Sequence, residues 1–431
     1  MPRDPEHWRP WLKKTLQHVR AKHRMTKDVC HDSIKQLWSL IEDNPDVRLL
    51  FTLMLEQVPI IPPYNENPAG GPEFRDWKEL LCAFDHQLTQ GPLFLYTTEG
   101  EKGLIGFPFN AFLDWPMGTP AGISLFLRAD VNACIRNMLN EYGSFLQSAK
   151  STHVLNDGAE GWFNGQALSA MSEVADPPPH TKPFSETFTC DPSAPSYGFR
   201  SWDDFFVRRF RDSERPVYAP QDDNVIVNAC ESGPLALCRG VNLSDDFWLK
   251  GQPYSLSDML GASNASPFAG GTVYQAFLSA LSYHRWHAPL SGRVAKVEHI
   301  PGTYYAENYW EGFANPDGPD PAAPNNSQRY ICQVASRALL MIEADNPAVG
   351  LMGILFVGMA EVSSCEVLVK PGDYVKKGQD IGMFHFGGST HVLIFRPGVR
   401  LDFVGAAANP DPEGDGGNLP VRGELATVVT N

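Results

Sequence analysis

At 431 residues the chain is long enough for two or three domains and a sizeable core. Apolar residues make up 43% and charged residues 20%, as in ordinary soluble globular proteins, and no apolar run approaches the ~18–20 residues of a membrane span. A net charge of −15 argues against nucleic acid or anionic lipid as a partner, because both are polyanions. Met1-Pro2-Arg3-Asp4 leads into charged sequence, so no secretory signal is expected. The eight cysteines are scattered without a C-x-x-C pair, which fits reduced thiols and a cytoplasmic location.

The first ~150 residues read as helical. Trp11 to Lys27 is rich in Lys and Arg and is expected to form a helix with a solvated charged face; a membrane-surface role is the alternative. Ile34, Leu37, Leu40 and Ile41 recur at helical spacing. Asn44-Pro45 stops that helix and starts another, with Asn as N-cap and Pro at the first helical position. Val131, Cys134, Ile135, Met138, Leu139 and Tyr142 form a further stripe, expected to face a core. Prolines punctuate residues 176–198, a connecting loop, and Ser201 opens a short helix at Trp202 with an acid three positions on. From about residue 225 the texture changes to short strands, expected at 225–230, 271–279, 292–300, 329–333, 337–343, 351–359 and 391–395. Asn308 to Ser327, with its Pro, Asp and Asn clusters, reads as an exposed loop or insertion. The fold class is therefore α+β, with a helical N-terminal region ahead of a β-rich domain.

Three patterns invite chemistry. His287 to Val294 and Val369 to Gly382 have the texture of biotin- and lipoyl-carrier domains, but no modifiable lysine stands at a hairpin tip between them. His284-Arg285-Trp286-His287 sets two imidazoles three residues apart, as metal ligands, as acid–base groups or as structural histidines. No third ligand of the H-E-x-x-H kind is near, which disfavours metal. Phe386-Gly387-Gly388-Ser389-Thr390 precedes an apolar strand. Alone it reads as a glycine turn, yet a serine after glycine can attack the preceding, unshielded carbonyl.

Ordered landmarks then carry a resemblance. Tyr197-Gly198-Phe199, Trp202-Asp203-Asp204-Phe205-Phe206-Val207-Arg208-Arg209-Phe210, Arg215-Pro216, Tyr283-His284-Arg285-Trp286-His287-Ala288-Pro289, Pro301-Gly302-Thr303-Tyr304 and Phe384-His385-Phe386-Gly387-Gly388-Ser389 follow in sequence. The chain resembles the phosphatidylserine decarboxylase family over about residues 197–397. Gly161-Trp162-Phe163-Asn164 and Ala167 to Met171 extend the likeness to its fungal branch of L-tryptophan decarboxylases.

The resemblance implies a helical domain over 1–160 and a pyruvoyl-dependent decarboxylase domain over 161–431. Ser389 attacks the Gly388 carbonyl, and elimination cuts the chain into associated pieces 1–388 and 389–431. The new terminus becomes a pyruvoyl group, with no PLP. That group forms a Schiff base with the substrate amine and acts as an electron sink for loss of CO2. His287 matches the processing histidine and His284 the histidine of decarboxylation. The family's triad aspartate lies in an Ala-Asp-Gly signature; here Ala229-Cys230-Glu231-Ser232 puts Glu231 one residue along as the candidate acid. Phe386, His385 and Trp286 are candidate substrate-binding residues. The expected substrate is an aromatic L-amino acid, L-tryptophan giving tryptamine first, with phosphatidylserine as the alternative and a non-enzymatic β-hybrid carrier or binding module as the reading from another class.

Overall fold

The computed structural model describes residues 9–21, 27–67, 74–95, 107–320, 323–361, 364–411 and 417–429. Helices come first: α1 (Arg9–Ala21), α2 (Asp32–Asp43), α3 (Pro45–Glu56), α4 (Trp77–Gln87), α5 (Pro108–Met117), α6 (Pro120–Phe126), α7 (Ala129–Leu146), α8 (Gly165–Ala175), α9 (Phe184–Thr187) and α10 (Trp202–Phe206). Their ends follow local chemistry. Asn44 Oδ1 accepts from the Asp46 and Val47 amides, and Pro45 begins α3 where no amide is needed. The Ser201 hydroxyl caps α10 by accepting from the Asp204 amide. The expected stripe of α7 is buried at Val131, Ile135, Met138, Leu139 and Tyr142, with Cys134 half-buried.

Helix α1 buries Leu12, Leu16 and Val19 and stacks Trp11 on Phe112 of α5 at 5.4 Å. Its Lys13, Lys14 and Arg20 remain exposed, so its apolar face is already committed to the core. Residues 22–26 of that basic stretch lie outside the described residues. No helix among the described residues is long and apolar enough to cross a membrane.

Thirteen strands follow: β1 (Val225–Val227), β2 (Gly233–Arg239), β3 (Thr272–Leu278), β4 (Arg285–His287), β5 (Gly292–Ile300), β6 (Arg337–Ala344), β7 (Leu351–Met359), β8 (Cys365–Val367), β9 (Tyr374–Val375), β10 (Asp380–Phe384), β11 (Gly388–Phe395), β12 (Leu401–Phe403) and β13 (Glu424–Val428), counted among the described residues. They build an antiparallel sheet in the order β2-β3-β11-β7-β6-β5-β9 and two three-stranded sheets, β4-β10-β8 and β1-β13-β12.

The large sheet is covered on both faces, which is why its central strands read as unbroken apolar runs rather than alternating ones. Val392 and Ile394 of β11, with Leu355 and Val357 of β7, face the helices in one core. Leu393 and Phe395, with Ile354 and Phe356, face the two small sheets in a second core. A helical layer, a seven-stranded sheet and a layer of small sheets are thus stacked in that order.

Two expectations differ. Residues 329–333 lie in a helix, Gln328–Val334, whose Gln333 side chain bonds the Ser255 amide and the Pro253 carbonyl. Its apolar core, Tyr330-Ile331-Cys332, is too short for periodicity to tell strand from helix. The 308–327 segment is not simply exposed: Asn308 and Ser327 are fully buried, and Phe313 packs on Tyr64 at 5.3 Å. Replacing Asn44 by Ala should lower stability by ~1 kcal/mol through loss of the α3 cap, read as an earlier denaturant midpoint at unchanged slope.

Candidate active site

Gly388 and Ser389 open strand β11, flanked on both sides. Gly388 lies opposite Met359 of β7, and Ser389 opposite Gly358 of β7 and Leu278 of β3. Gly387, just before them, has a φ of 134°, open to glycine and strained for other residues. Thr390 points to the helical side, where its hydroxyl donates to the Ala276 carbonyl and accepts from Gln275. Ser389 is fully buried, and its Oγ has no hydrogen-bond partner. A buried hydroxyl left unbonded is costly and rare, so the anchored threonine and the unbonded serine mark the start of β11 as unusual.

The chain leaving β3 at Leu278, beside Ser389, runs directly through Ser279–Tyr283 into His284 and strand β4. Arg208 pins this loop by donating to the carbonyls of Leu281 (2.6 Å) and Ser282 (3.3 Å), with its guanidinium over the rings of Phe188 and Phe205. His284 is fully buried and stacks on Phe206 of α10 at 4.0 Å between centroids. Neither of its ring nitrogens makes a well-aligned hydrogen bond, although the backbone of Ser282 and Ser279 lies close enough to favour its charged form. Burial, and then the Arg208 charge, hold it well below the ordinary histidine value, so it is neutral.

His287 ends β4 and is engaged on both edges. Its Nε2 meets the Tyr283 hydroxyl at 3.0 Å, and its Nδ1 meets the Gly378 carbonyl at 3.0 Å. Arg422 Nε lies 3.2 Å from the same Nδ1 and 3.0 Å from that carbonyl. One neutral tautomer satisfies the network: Nδ1–H and Arg422 both donate to Gly378, and Tyr283 donates to Nε2. Burial and then Arg422 bring His287 down to about 3.

Glu231 does not contact His287. Its carboxylate takes Arg215 in a fork (2.8 and 3.1 Å) and accepts from the Val421 amide at 2.8 Å. Burial pushes this carboxyl up, against Arg215. The link to His287 is indirect, through the Arg215 carbonyl, which accepts from Arg422 at 3.3 Å. The group behind His287 is therefore the Gly378 carbonyl.

The candidate substrate-binding residues separate. Phe386 sits in the helical core against Trp202 (4.5 Å), Phe206 (5.6 Å), Phe107 (6.0 Å) and Tyr142 (6.2 Å). Trp286 belongs to the second core, stacked on Phe356 at 3.7 Å. His385 is clamped between Asp203 (2.9 Å) and Glu366 (2.9 Å). Burial opposes its charge, but the two carboxylates prevail and raise its pKa.

Two further groups were not legible as site residues. His391, two positions after Ser389 and on the same strand face, is fully buried with both ring nitrogens unpartnered, and burial lowers it to about 3. Glu361, two residues beyond the partner of Gly388, is buried against the start of α5. Neither stands in a motif. No group of three or more His, Cys, Asp or Glu among the described residues could hold a metal.

A helix-covered antiparallel sheet with a glycine–serine step opening a central strand, and two neutral histidines on the adjoining loop, defines a class that comparison with known proteins specifies. Two phosphatidylserine decarboxylase family models match the chain, over residues 31–171 and 202–410. The decarboxylase iboD of Amanita muscaria is 42% identical over 310 residues, 69% of this chain and 86% of that protein. The L-tryptophan decarboxylase of Psilocybe cubensis is 35% identical over 388 residues, 88% of this chain and 83% of that one. Phosphatidylserine decarboxylase proenzyme 3 of Schizosaccharomyces pombe is 28% identical over 222 residues, 51% of this chain and 21% of that one. The chain belongs to the phosphatidylserine decarboxylase family, a family of carboxy-lyases.

The buried histidines make stability depend on pH in a stated direction. Unfolded histidine titrates near ~6.5, whereas His287 and His391 are held down to about 3. Between those values the unfolded chain binds more protons, so this stability is present above ~6.5 and is lost as pH falls towards about 3. In an uncut Ser389→Ala background, adding His391→Leu should flatten the dependence by about one proton, ~1.4 kcal/mol per pH unit. Urea titrations at pH 6 and pH 4.5 measure this, and an unchanged slope would contradict the burial of a neutral imidazole.

Proposed function

We propose that the chain is a precursor that cuts itself between Gly388 and Ser389 and then decarboxylates an aromatic L-amino acid, L-tryptophan first, releasing tryptamine and CO2. The observation that carries the reading is the buried, unbonded Ser389 Oγ behind a glycine pair at the head of β11. Residues 387–389 fit a serine-derived pyruvoyl group: Gly387 supplies the turn, and neither Gly388 nor Gly358 places a side chain beside the reacting atoms. Such a group supplies an electron sink for the charge left when CO2 departs.

The chain's own residues then divide the work. Attack by Ser389 needs a base, and His287 is held neutral, the form that accepts a proton; with Nε2 occupied by the Tyr283 hydroxyl, it would take that proton through Tyr283. Glu231 acts behind it by holding Arg215 and hence the Arg422 frame, as a positioning residue. His284 is neutral, pinned by Arg208 and stacked on Phe206, and it is the candidate donor of the proton that replaces CO2. Phe386 lines the substrate side, whereas Trp286 and His385 support it through packing and ion pairing.

The likeness to the L-tryptophan decarboxylase spans 88% of the chain, whereas that to the S. pombe phosphatidylserine decarboxylase proenzyme spans 51%, and this difference supports the amino acid over the lipid. The committed apolar face of α1 supports the same choice; the scattered, unpaired cysteines fit a cytoplasmic location. The purified protein should run as two chains of 388 and 43 residues, the shorter with a blocked N-terminus. Ser389→Ala should abolish cleavage and activity together; a cleaved Ser389→Ala protein refutes the assignment. His287→Ala should slow cleavage first, and normal processing with lost turnover would exchange the two histidines. Incubation with L-tryptophan and with phosphatidylserine decides the substrate, tryptamine being the expected product.

A further inference from the structure

Strand β7 ends at Met359, the partner of Gly388, and the chain then turns through Ala360 at a φ of 55° into Glu361. Glu361 Oε1 accepts from the amides of Phe109 (2.6 Å) and Asn110 (3.0 Å), the first turn of α5. Its Oε2 is buried without a partner. Tyr305, close enough to sense the Glu361 charge, is fully buried with its hydroxyl also unpartnered. Apolar surface surrounds the pair: Phe109 packs on Tyr142 at 5.1 Å, Tyr142 on Phe386 at 6.2 Å and Phe126 on Tyr305 at 5.9 Å.

A carboxylate serving only to cap α5 would leave its second oxygen in water. Here that oxygen and a phenol are enclosed together by rings, next to the bond assigned to self-cleavage. Two unpartnered polar atoms at the end of an aromatic enclosure are the arrangement that orients a ligand with one polar edge on an apolar ring. Glu361 is three residues from Gly358, the partner of Ser389, a chain distance of at most ~10 Å. An amino acid side chain and a glutamate side chain together bridge such a gap.

We propose that Glu361, with Tyr305 beside it, forms the polar end of the substrate side-chain pocket and accepts a hydrogen bond from a ring N–H of an aromatic amino acid, the indole N–H first. This rests on the reading of the chain as an aromatic amino acid decarboxylase and names the residues that set its specificity. Burial raises the carboxyl to about 8, and an N–H donor arriving at Oε2 would favour its charged, accepting form.

The test uses calorimetric binding of indole and of 1-methylindole, which lacks the donor, to the processed enzyme and to Glu361→Gln. In the variant the amide oxygen keeps the α5 cap, and the amide NH2 stands where the acceptor was. The wild type should bind indole about tenfold more tightly than 1-methylindole, and the variant should lose that preference. Failure of the wild type to bind indole, absence of a preference, or a preference kept in Glu361→Gln each overturns the proposal; in the last case Glu361 is a helix cap alone. Tryptamine formation is assayed in parallel. An intact indole preference without tryptamine sinks the decarboxylase reading for tryptophan and leaves the pocket standing.

Discussion

Much of the site depends on how one short stretch, Trp202–Phe210, is fastened. The Phe206 ring lies against His284 on one side and Phe386 on the other, and Trp202 packs on Phe386. Asp203 holds His385, Arg208 holds the loop before His284, and Arg209 reaches Asp380, which also takes Arg285 of β4. Five residues of the stretch therefore grip the histidine loop and the segment before the glycine pair. These two pieces are about a hundred residues apart in sequence; the β4–β10 ladder and the Phe384 amide, which donates to the His284 carbonyl at 2.9 Å, set their register, and the stretch fastens their side chains.

The second controlling feature is dryness. Large aromatic residues fill both faces of the sheet, so burial holds the imidazoles of His284, His287 and His391 below the ordinary histidine value, and nearby guanidinium groups reinforce this for His284 and His287. Arg208 is held by carbonyls and rings, whereas the buried Arg215 and Arg285 are paired with Glu231 and Asp380. Arg208 and Arg422 thus place positive charge beside His284 and His287, with Asp380 partly offsetting it at His287.

The sequence revealed the parts that depend on local chemistry. The caps at Asn44 and Ser201, the stripe of α7 and strands β3, β5, β6 and β7 follow from residue type and spacing. The pair Gly388–Ser389 and the two histidines were legible as an ordered set of landmarks. What was hidden depended on long-range pairing. The Gly378 carbonyl behind His287 leaves no trace in a side-chain pattern, and Glu231, chosen for its charge, is taken by Arg215. Glu361 was unreadable because a single acid after a strand is ordinarily solvated; only the docking of α5 encloses it. Trp286 and Phe386 looked like neighbours of one pocket, but Trp286 on β4 enters the second core while Phe386, in the bend between β10 and β11, turns into the helical core.

Strand β11 lies in the middle of the large sheet, hydrogen-bonded along its whole length to β3 and β7, and β12 and β13 beyond it join β1 in another layer. A chain severed before Ser389 would keep its 43-residue tail woven through two sheets. Such a molecule can be assembled only while it is one piece, since the tail is central and the covalent tether that guides it in exists only beforehand. Heating would then be a one-way event, and durability would be governed by how slowly the tail escapes rather than by an equilibrium between folded and unfolded forms.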